Sequence, residues 1–218
     1  MQKKELTAIS QMMLDRYAGR YDKMGKHIRA LGWGNEEQQY YRFAQTLDAG
    51  ISLENKSILD IGCGFGDYCD FLNRNNLLFK EYIGWDLTPG FINEGNALYK
   101  DNDKISFSVK DISLRTEDSP IADVGIMLGL LNWNLKDEEK NYAFSKQLIT
   151  KAFSTVRECL VVDFLSTNLT DTYPKEDVVF YHDPLKTLDF AFSLTNNVVL
   201  KHNYAPIPQK EFMLFLYK

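Results

Sequence analysis

The feature that most constrains this chain is the stretch SILDIGCGFGDYCD, which occupies residues 57–70. Its first four residues are compatible with a buried strand, and Gly62, Gly64 and Gly66 follow before residues that can open a helix. Glycine is required where the backbone takes a positive φ or lies flat against a ligand, and alternate glycines keep side chains off that surface. Because the first N–H groups of a helix are free, the stretch predicts a strand, a ligand-binding turn and a helix.

Two acids accompany this glycine turn. Asp60 lies directly before it, and Asp86 in YIGWDL ends the next apolar run. A carboxylate about twenty residues beyond a glycine turn is suited to the hydroxyls of a ribose. The glycine spacing is GxGxG, whereas a dinucleotide site has GxGxxG. A nucleoside-containing ligand is therefore predicted, and a dinucleotide oxidoreductase is the least favoured interpretation.

Asp60 with GxGxG, followed by Asp86 at the end of the second strand, resembles the first two motifs of the class I S-adenosylmethionine-dependent methyltransferases. The resemblance covers residues 57–165 well and the rest loosely. It implies an α/β, Rossmann-like class I methyltransferase fold: a seven-stranded, mostly parallel sheet with a C-terminal antiparallel hairpin and an N-terminal helical cap. It also implies S-adenosylmethionine as the cofactor, and methyl transfer to a small soluble molecule as the activity.

The chain has 218 residues and no evident linker, which favours a single domain with a helical cap at 1–50 and a Rossmann-like core at 51–218. Cap helices are predicted to break at Gly19, Gly25 and the turn at 31–34. The predicted core strands are 57–60, 80–85, 105–109, a buried run from 121 towards 133, 158–165, and a hairpin of 197–204 with 211–218. The predicted core helices are 67–75, 89–99, 137–153 and 184–194.

Composition excludes several partners. The net charge is −5 and no block of like charge occurs, so neither a nucleic-acid track nor a membrane-surface patch is indicated. The three cysteines, Cys63, Cys69 and Cys159, lack the paired spacing of a disulfide framework or a zinc site. No apolar run approaches the ~20 residues of a membrane helix. A cytoplasmic protein is expected, with no metal, as a monomer or homodimer.

The resemblance implies a set of cofactor contacts. In the family, the acid after the third strand accepts a hydrogen bond from the adenine amino group and its neighbour packs on the ring. In DRYAGRYD, which resembles a DxxAxxYD pattern, the second aromatic helps to cover the cofactor. Alternatively, these two tyrosines only pack the cap onto the core. The expected cofactor-binding residues are Tyr21, Asp60, Gly62, Cys63, Gly64, Asp67, Tyr68, Asp86, Leu87, Asp111, Ile112, Leu128 and Gly129.

The expected substrate site follows from topology. In open α/β sheets, ligands bind beyond the carboxyl ends of the strands, which here is the segment after the fourth strand. That segment reads LGLLNW, whereas DNA and protein amide methyltransferases carry NPPY or DPPY there, which argues against those substrates. A tryptophan between two glycines, Trp33, either fills a core gap or walls a pocket. The expected substrate-binding residues are Trp33, Leu130, Asn132, Trp133 and Tyr181.

Two further residues have open roles. His182 in FYHDP is either a general base or substrate ligand, or a solvent-exposed loop histidine beside the helix cap Asp183. Arg42 either forms a surface salt bridge or anchors a carboxylate of the cofactor or substrate. Alternatives to methyl transfer are aminocarboxypropyl transfer, cyclisation of that arm, and a non-catalytic module that binds S-adenosylmethionine.

Overall fold

The computed structural model of the protein describes residues 1–47 and 51–218. Seven strands form one sheet in the order β3-β2-β1-β4-β5-β7-β6. Strands β1 to β5 are parallel to one another, whereas β7 is antiparallel to both β5 and β6. The predicted sheet and its C-terminal hairpin are therefore confirmed. The strands are β1 Ser57–Ile61, β2 Glu81–Asp86, β3 Ile105–Val109, β4 Ala122–Met127, β5 Val156–Leu165, β6 Asn197–Lys201 and β7 Glu211–Tyr217.

Six α-helices and two short 3₁₀ turns complete the described chain. Asn35, Asp137 and Asp183 cap three of the helices by accepting hydrogen bonds from first-turn amides, which their short polar side chains are suited to do. The helices are α1 Lys3–Met24, α2 Glu36–Gln45, α3 Asp67–Arg74, α4 Pro89–Leu98, α5 Glu138–Ser154 and α6 Pro184–Phe192, and the 3₁₀ turns are Ile28–Leu31 and Ile112–Leu114.

The inner strands β1, β4, β5 and β7 are buried on both faces, which explains their near-continuous apolar runs. The edge strands β3 and β6 instead alternate between more and less exposed residues. Successive residues of a strand point to opposite faces, so Ile58 and Leu59 of β1 belong to two different core clusters. The cluster around Leu59 includes side chains of α1, α5 and α6, and the one around Ile58 includes side chains of α2, α3 and α4. Beyond the two helical layers, the carboxyl ends of the parallel strands are covered by the cap and by two later segments around residues 173–179 and 207–209.

Several predicted boundaries differ from the structure. Helix α1 continues through Gly19, where the surroundings leave open space, and the break comes only at Gly25, whose φ is +60°. A helical glycine costs about 1 kcal/mol, which the other 21 positions of a 22-residue helix can outweigh. Strand β4 ends at Met127, earlier than the predicted run towards residue 133. The expected boundary between cap and core, at 50/51, lies at residues 48–50, outside the described residues. None of the described helices has the length and apolarity of a membrane span.

Candidate active site

A cavity of about 680 Å³ lies at the carboxyl edge of the parallel strands, beneath the cap. Its walls come from the cap, the glycine turn, the ends of β1 to β5, and two later segments around residues 173–179 and 207–209. The cavity brings together every expected cofactor-binding residue except Tyr21 and every expected substrate-binding residue except Tyr181. The candidate site is therefore one continuous space with two differently built walls.

The glycine turn has the backbone conformation that its sequence predicts. Gly62, Gly64 and Gly66 have φ values of +82°, +56° and +87°, a region that disfavours residues with a Cβ. A Cβ at Gly62 would come within 3.0 Å of Leu130, and one at Gly64 within 2.8 Å of Leu31. The cap and the segment after β4 thus lie directly against the turn, and only glycine permits this approach.

Asp86 fastens the turn to the end of β2. Its Oδ2 accepts a hydrogen bond from the Gly64 amide at 3.1 Å, and its Oδ1 accepts one from the Thr88 amide at 2.8 Å. Burial raises the pKa of this carboxyl, and the amide donors oppose that rise. The Thr88 hydroxyl and the Leu87 amide lower the pKa of this carboxyl as well. Asp86 lines the cavity, where a carboxylate can accept hydrogen bonds from a ligand.

Asp60 lies at the floor of the cavity and is 4% exposed. The hydroxyl of Tyr82 donates a hydrogen bond to its Oδ2. Burial raises the pKa of Asp60 to about 7, and the tyrosine hydrogen bond only partly opposes this effect. This carboxyl therefore changes its charge near neutral pH, unlike an acid in water.

Two more acids line the side of the cavity that holds the expected cofactor-binding residues, here called the cofactor wall. Asp111 follows β3, and its Oδ1 accepts a hydrogen bond from the Ser113 amide at 2.8 Å, with Ile112 buried beside it. Asp67 begins α3 and accepts a hydrogen bond from Gln39 of the cap at 2.9 Å.

Cys63 is a buried free thiol whose pKa is raised by burial, which fits packing in the turn. Within the described residues, no three His, Cys, Asp or Glu side chains form a group that could hold a metal ion.

Arg42 lines the cavity, and its guanidinium is buried against carboxylates of the chain instead of forming a surface salt bridge. It is 6% exposed, and it forms ion pairs with Asp163 of β5, at 3.1 Å, and with Glu211 of β7. Its guanidinium also lies 4.2 Å from the ring centroid of Trp33. Asp163 accepts a further hydrogen bond from the Gly129 amide at 2.6 Å. Sequence reasoning missed both carboxylates, although an acid inside the apolar run LVVDFL was a signal of a buried partner.

Tyr21 is placed outside the cavity. Its hydroxyl donates to Glu94 at 2.7 Å, and its ring packs against Phe65 and Phe91. Tyr17, one helical turn earlier, lines the cavity instead. Of the two interpretations of DRYAGRYD, the contacts of Tyr21 fit packing of the cap onto the core.

His182 also lies outside the cavity, and neither interpretation of it fits its surroundings. Its side chain is 0% exposed, and its Nε2 is 2.9 Å from the hydroxyl oxygen of Ser145. Burial lowers the pKa of His182 to about 3, so the imidazole is neutral at ordinary pH. A buried ring between Phe164 and Phe180 can neither reach a substrate in the cavity nor meet solvent. The expectation of a general base is thus not supported by this position.

The connection between β5 and α6, residues 166–183, folds over the substrate end of the cavity. Trp133 forms a bridge with Val179, and the Phe180 amide donates to the Asn132 carbonyl at 2.9 Å. Tyr181 in this connection is buried outside the cavity, with its hydroxyl bound by the Glu176 amide at 2.9 Å. Glu176 and Tyr173 line the cavity in its place.

Comparisons with known proteins address the fold. No protein-family model matches the sequence, and no curated protein matches it. Among solved structures, magnesium protoporphyrin IX methyltransferase (ChlM) from Synechocystis PCC 6803 with bound SAH is similar with a TM-score of 0.65 and 14% identity, over 96% of this chain and 95% of that chain. The N-methyltransferase NodS from Bradyrhizobium japonicum WM9, in complex with S-adenosylhomocysteine (SAH), has a TM-score of 0.62 and 13% identity, with 93% and 98% covered.

A third similar structure, a DhpI–SAH complex, has a TM-score of 0.65 and 12% identity, with 94% of this chain and 95% of that chain covered. The strand order and these similarities show that the chain has the Rossmann-like fold of class I methyltransferases. The activity has to be argued from the cavity, because one fold supports many functions.

Proposed function

We propose that this protein is an S-adenosylmethionine-dependent methyltransferase that acts on a small soluble molecule. One observation carries the proposal: a single cavity holds the glycine turn, three strand-ending acids and a separate aromatic wall. The acids are Asp60, Asp86 and Asp111, which end or follow β1, β2 and β3. The structures of ChlM, NodS and DhpI, which share this fold, contain SAH, and this supports the same cofactor class here.

The residues present fit the cofactor. Asp86 is held by two backbone amides and lines the cavity, where a carboxylate can accept hydrogen bonds from ribose hydroxyls. Asp111, with one oxygen engaged by Ser113, can accept from the adenine amino group, and Ile112 offers an apolar surface for the ring. Gly62 and Gly64 line the cavity, and backbone without side chains can be approached closely by a ligand. When bound, S-adenosylmethionine supplies an electrophilic methyl group on a sulfonium.

The chain's own contribution is position and exclusion of water. Trp33, Leu130 and Trp133 form an apolar wall beside the cofactor residues, and the 166–183 connection covers this side. Holding a nucleophile close to the methyl carbon in a desolvated site can supply much of the rate of such a displacement. We assign no general base, because His182 lies outside the cavity.

Calorimetry of the purified chain with S-adenosylmethionine, SAH and NAD tests the proposal. We expect micromolar binding of the first two and no binding of NAD, since the third glycine is misplaced for a dinucleotide. Mass spectrometry of a turnover mixture then identifies the transferred group. Release of SAH supports methyl transfer, whereas release of 5′-methylthioadenosine would show transfer or cyclisation of the aminocarboxypropyl arm. Binding of NAD alone, or of none of the three, would contradict the cofactor assignment.

A further inference from the structure

Two arginines of α1 face the same cavity. Arg16 and Arg20 lie one helical turn apart, and both line the cavity beside Tyr17. Like charges at positions i and i+4 of a helix repel each other. Among the described residues, no carboxylate lies within ion-pairing distance of either guanidinium. The pair is therefore an uncompensated concentration of positive charge at the cavity wall.

The orientation of Arg16 is fixed by an aromatic ring. Its guanidinium lies 4.1 Å from the ring centroid of Trp133, which is itself held by the bridge to Val179. Stacking engages the face of a guanidinium and leaves its N–H groups at the edge for a planar acceptor. Arg20 is held differently, since its Nε donates to the Arg29 carbonyl at 3.1 Å. Partial burial lowers the pKa of Arg16, and the neighbouring charge of Arg20 lowers it further.

Two other cations that line the cavity, Arg29 and Lys110, have no ion partner within the described part of the chain, but they are exposed to solvent. The remaining charged groups around the cavity have partners within the chain. Arg42 is compensated by the carboxylates of Asp163 and Glu211. Each acid discussed above accepts hydrogen bonds from the protein, and Glu176 accepts them from Tyr173 and Gln209 at 2.9 and 2.8 Å. Among the described residues that line the cavity, the half-buried cations without a carboxylate partner are Arg16 and Arg20. The group that would pair with these two guanidinium groups is therefore an anion.

We propose that Arg16, supported by the charge of Arg20, binds a carboxylate or phosphate group of the methyl acceptor. The acceptor is then a small organic acid or phosphate ester, bound through the bidentate edge of the guanidinium. This assignment rests on the proposed function and deepens it, because it names the substrate class. A carboxylate could also come from the methionine arm of the cofactor, so the test has to separate the two sources.

The first arm of the test concerns the cofactor. Arg16→Gln is compared with the unaltered chain in calorimetric titrations with SAH and with 5′-methylthioadenosine, which lacks the amino-acid arm. We expect both affinities to be unchanged. A loss of SAH affinity with methylthioadenosine affinity retained would assign Arg16 to the cofactor carboxylate and overturn the substrate assignment. If the unaltered chain does not bind SAH, the proposed function fails, and the second arm is run without nucleoside.

The second arm uses inorganic phosphate and acetate as probes on the SAH-saturated protein, in a buffer without other binding anions. We expect the unaltered chain to bind at least one probe, and Arg16→Gln to weaken that binding roughly tenfold or more, because hydrogen bonds to charged groups are strong. Arg74→Gln is the matched control. It also removes one positive charge, and Arg74 likewise lies over a ring, that of Tyr40 at 5.4 Å, but outside the cavity. Binding of neither probe, or an equal loss in both variants, overturns the proposal.

Discussion

The two walls of the cavity are built in different ways. The cofactor wall consists of the glycine turn and of acids at successive strand ends, whose hydrogen bonds come from backbone amides or the neighbouring strand. The acceptor wall is assembled from the cap, the segment after β4 and the 166–183 connection, and it is joined by the buried ion pairs of Arg42. The comparison teaches that local backbone geometry builds one wall, whereas long-range charge pairing builds the other.

Breaking the acceptor wall is expected to have the largest effect. Arg42→Met leaves the carboxylates of Asp163 and Glu211 buried without a counter-ion, which should lower the free energy of unfolding by about 3–5 kcal/mol. Urea denaturation followed by circular dichroism measures this change. Adding Asp163→Asn and Glu211→Gln to the same variant should recover more than half of the loss. A single variant within about 1 kcal/mol of the unaltered chain would show that the ion pairs do not hold this wall.

The cofactor wall should respond to pH through Asp60. In the unfolded chain this carboxyl titrates near 3.8, and in the folded chain its pKa is raised to about 7. Between these values the folded state holds a proton that the unfolded chain releases, so stability falls as pH rises from about 4 to 7 and stays lower above 7.

The test replaces the titrating group. Asp60→Asn, which keeps an acceptor for Tyr82, should gain stability relative to the unaltered chain as pH rises, by a few kcal/mol at pH 8. Denaturation at a series of pH values measures the difference in the free energy of unfolding between the two proteins. A difference that stays constant from pH 4 to 8 would mean that Asp60 titrates as an ordinary acid.

Much of the cofactor wall could be predicted from the sequence, because each of its parts is set by a short stretch of sequence. The turn needs only the spacing of Gly62, Gly64 and Gly66, and parallel strands bring Asp60 and Asp86 to the same edge. The acceptor wall could not be predicted in the same way. The partners of Arg42 lie far along the chain, and their pairing depends on how the cap lies on the sheet.

Tyr21 and His182, both expected at the site, lie outside the cavity, and the reason is again long-range packing. Whether Tyr17 or Tyr21 lines the cavity depends on the direction in which α1 crosses it, which no local pattern states. His182 follows a polar connection and so suggested a site residue. It is buried because residue 182 pairs with the end of β5 and the ring enters the core next to Ser145.

Asp86 tests the cofactor wall through its effect on ligand binding. Asp86→Ala removes the proposed ribose partner and should weaken SAH binding at least tenfold, about 1.4 kcal/mol, with the fold retained. Calorimetry gives the affinity, and circular dichroism confirms the fold. Asp123→Ala serves as the control, since Asp123 is bound to Ser57 and Arg157 and does not line the cavity. An unchanged affinity in Asp86→Ala would remove this acid from the cofactor site.

The smallest effect is expected at Tyr21, which belongs to neither wall. Tyr21→Phe deletes one hydrogen bond to Glu94 and should cost less than about 1 kcal/mol of stability. Its SAH affinity should equal that of the unaltered chain in calorimetry. Tyr17→Phe is the companion variant, because Tyr17 lines the cavity. A clear loss of SAH affinity in Tyr21→Phe would restore Tyr21 to the cofactor site.

The contacts of Asp163 affect which helices of the cap can open locally. It joins Arg42 of α2 to the amide of Gly129, so lifting α2 would leave two buried carboxylates uncompensated. Helix α2 thus belongs to the same cooperative unit as the sheet. The buried residues of α1 all precede residue 14, so its second half has much less to lose on opening. In amide hydrogen exchange, α2 should exchange with the sheet, and the end of α1 should open first as a gate beside the cavity.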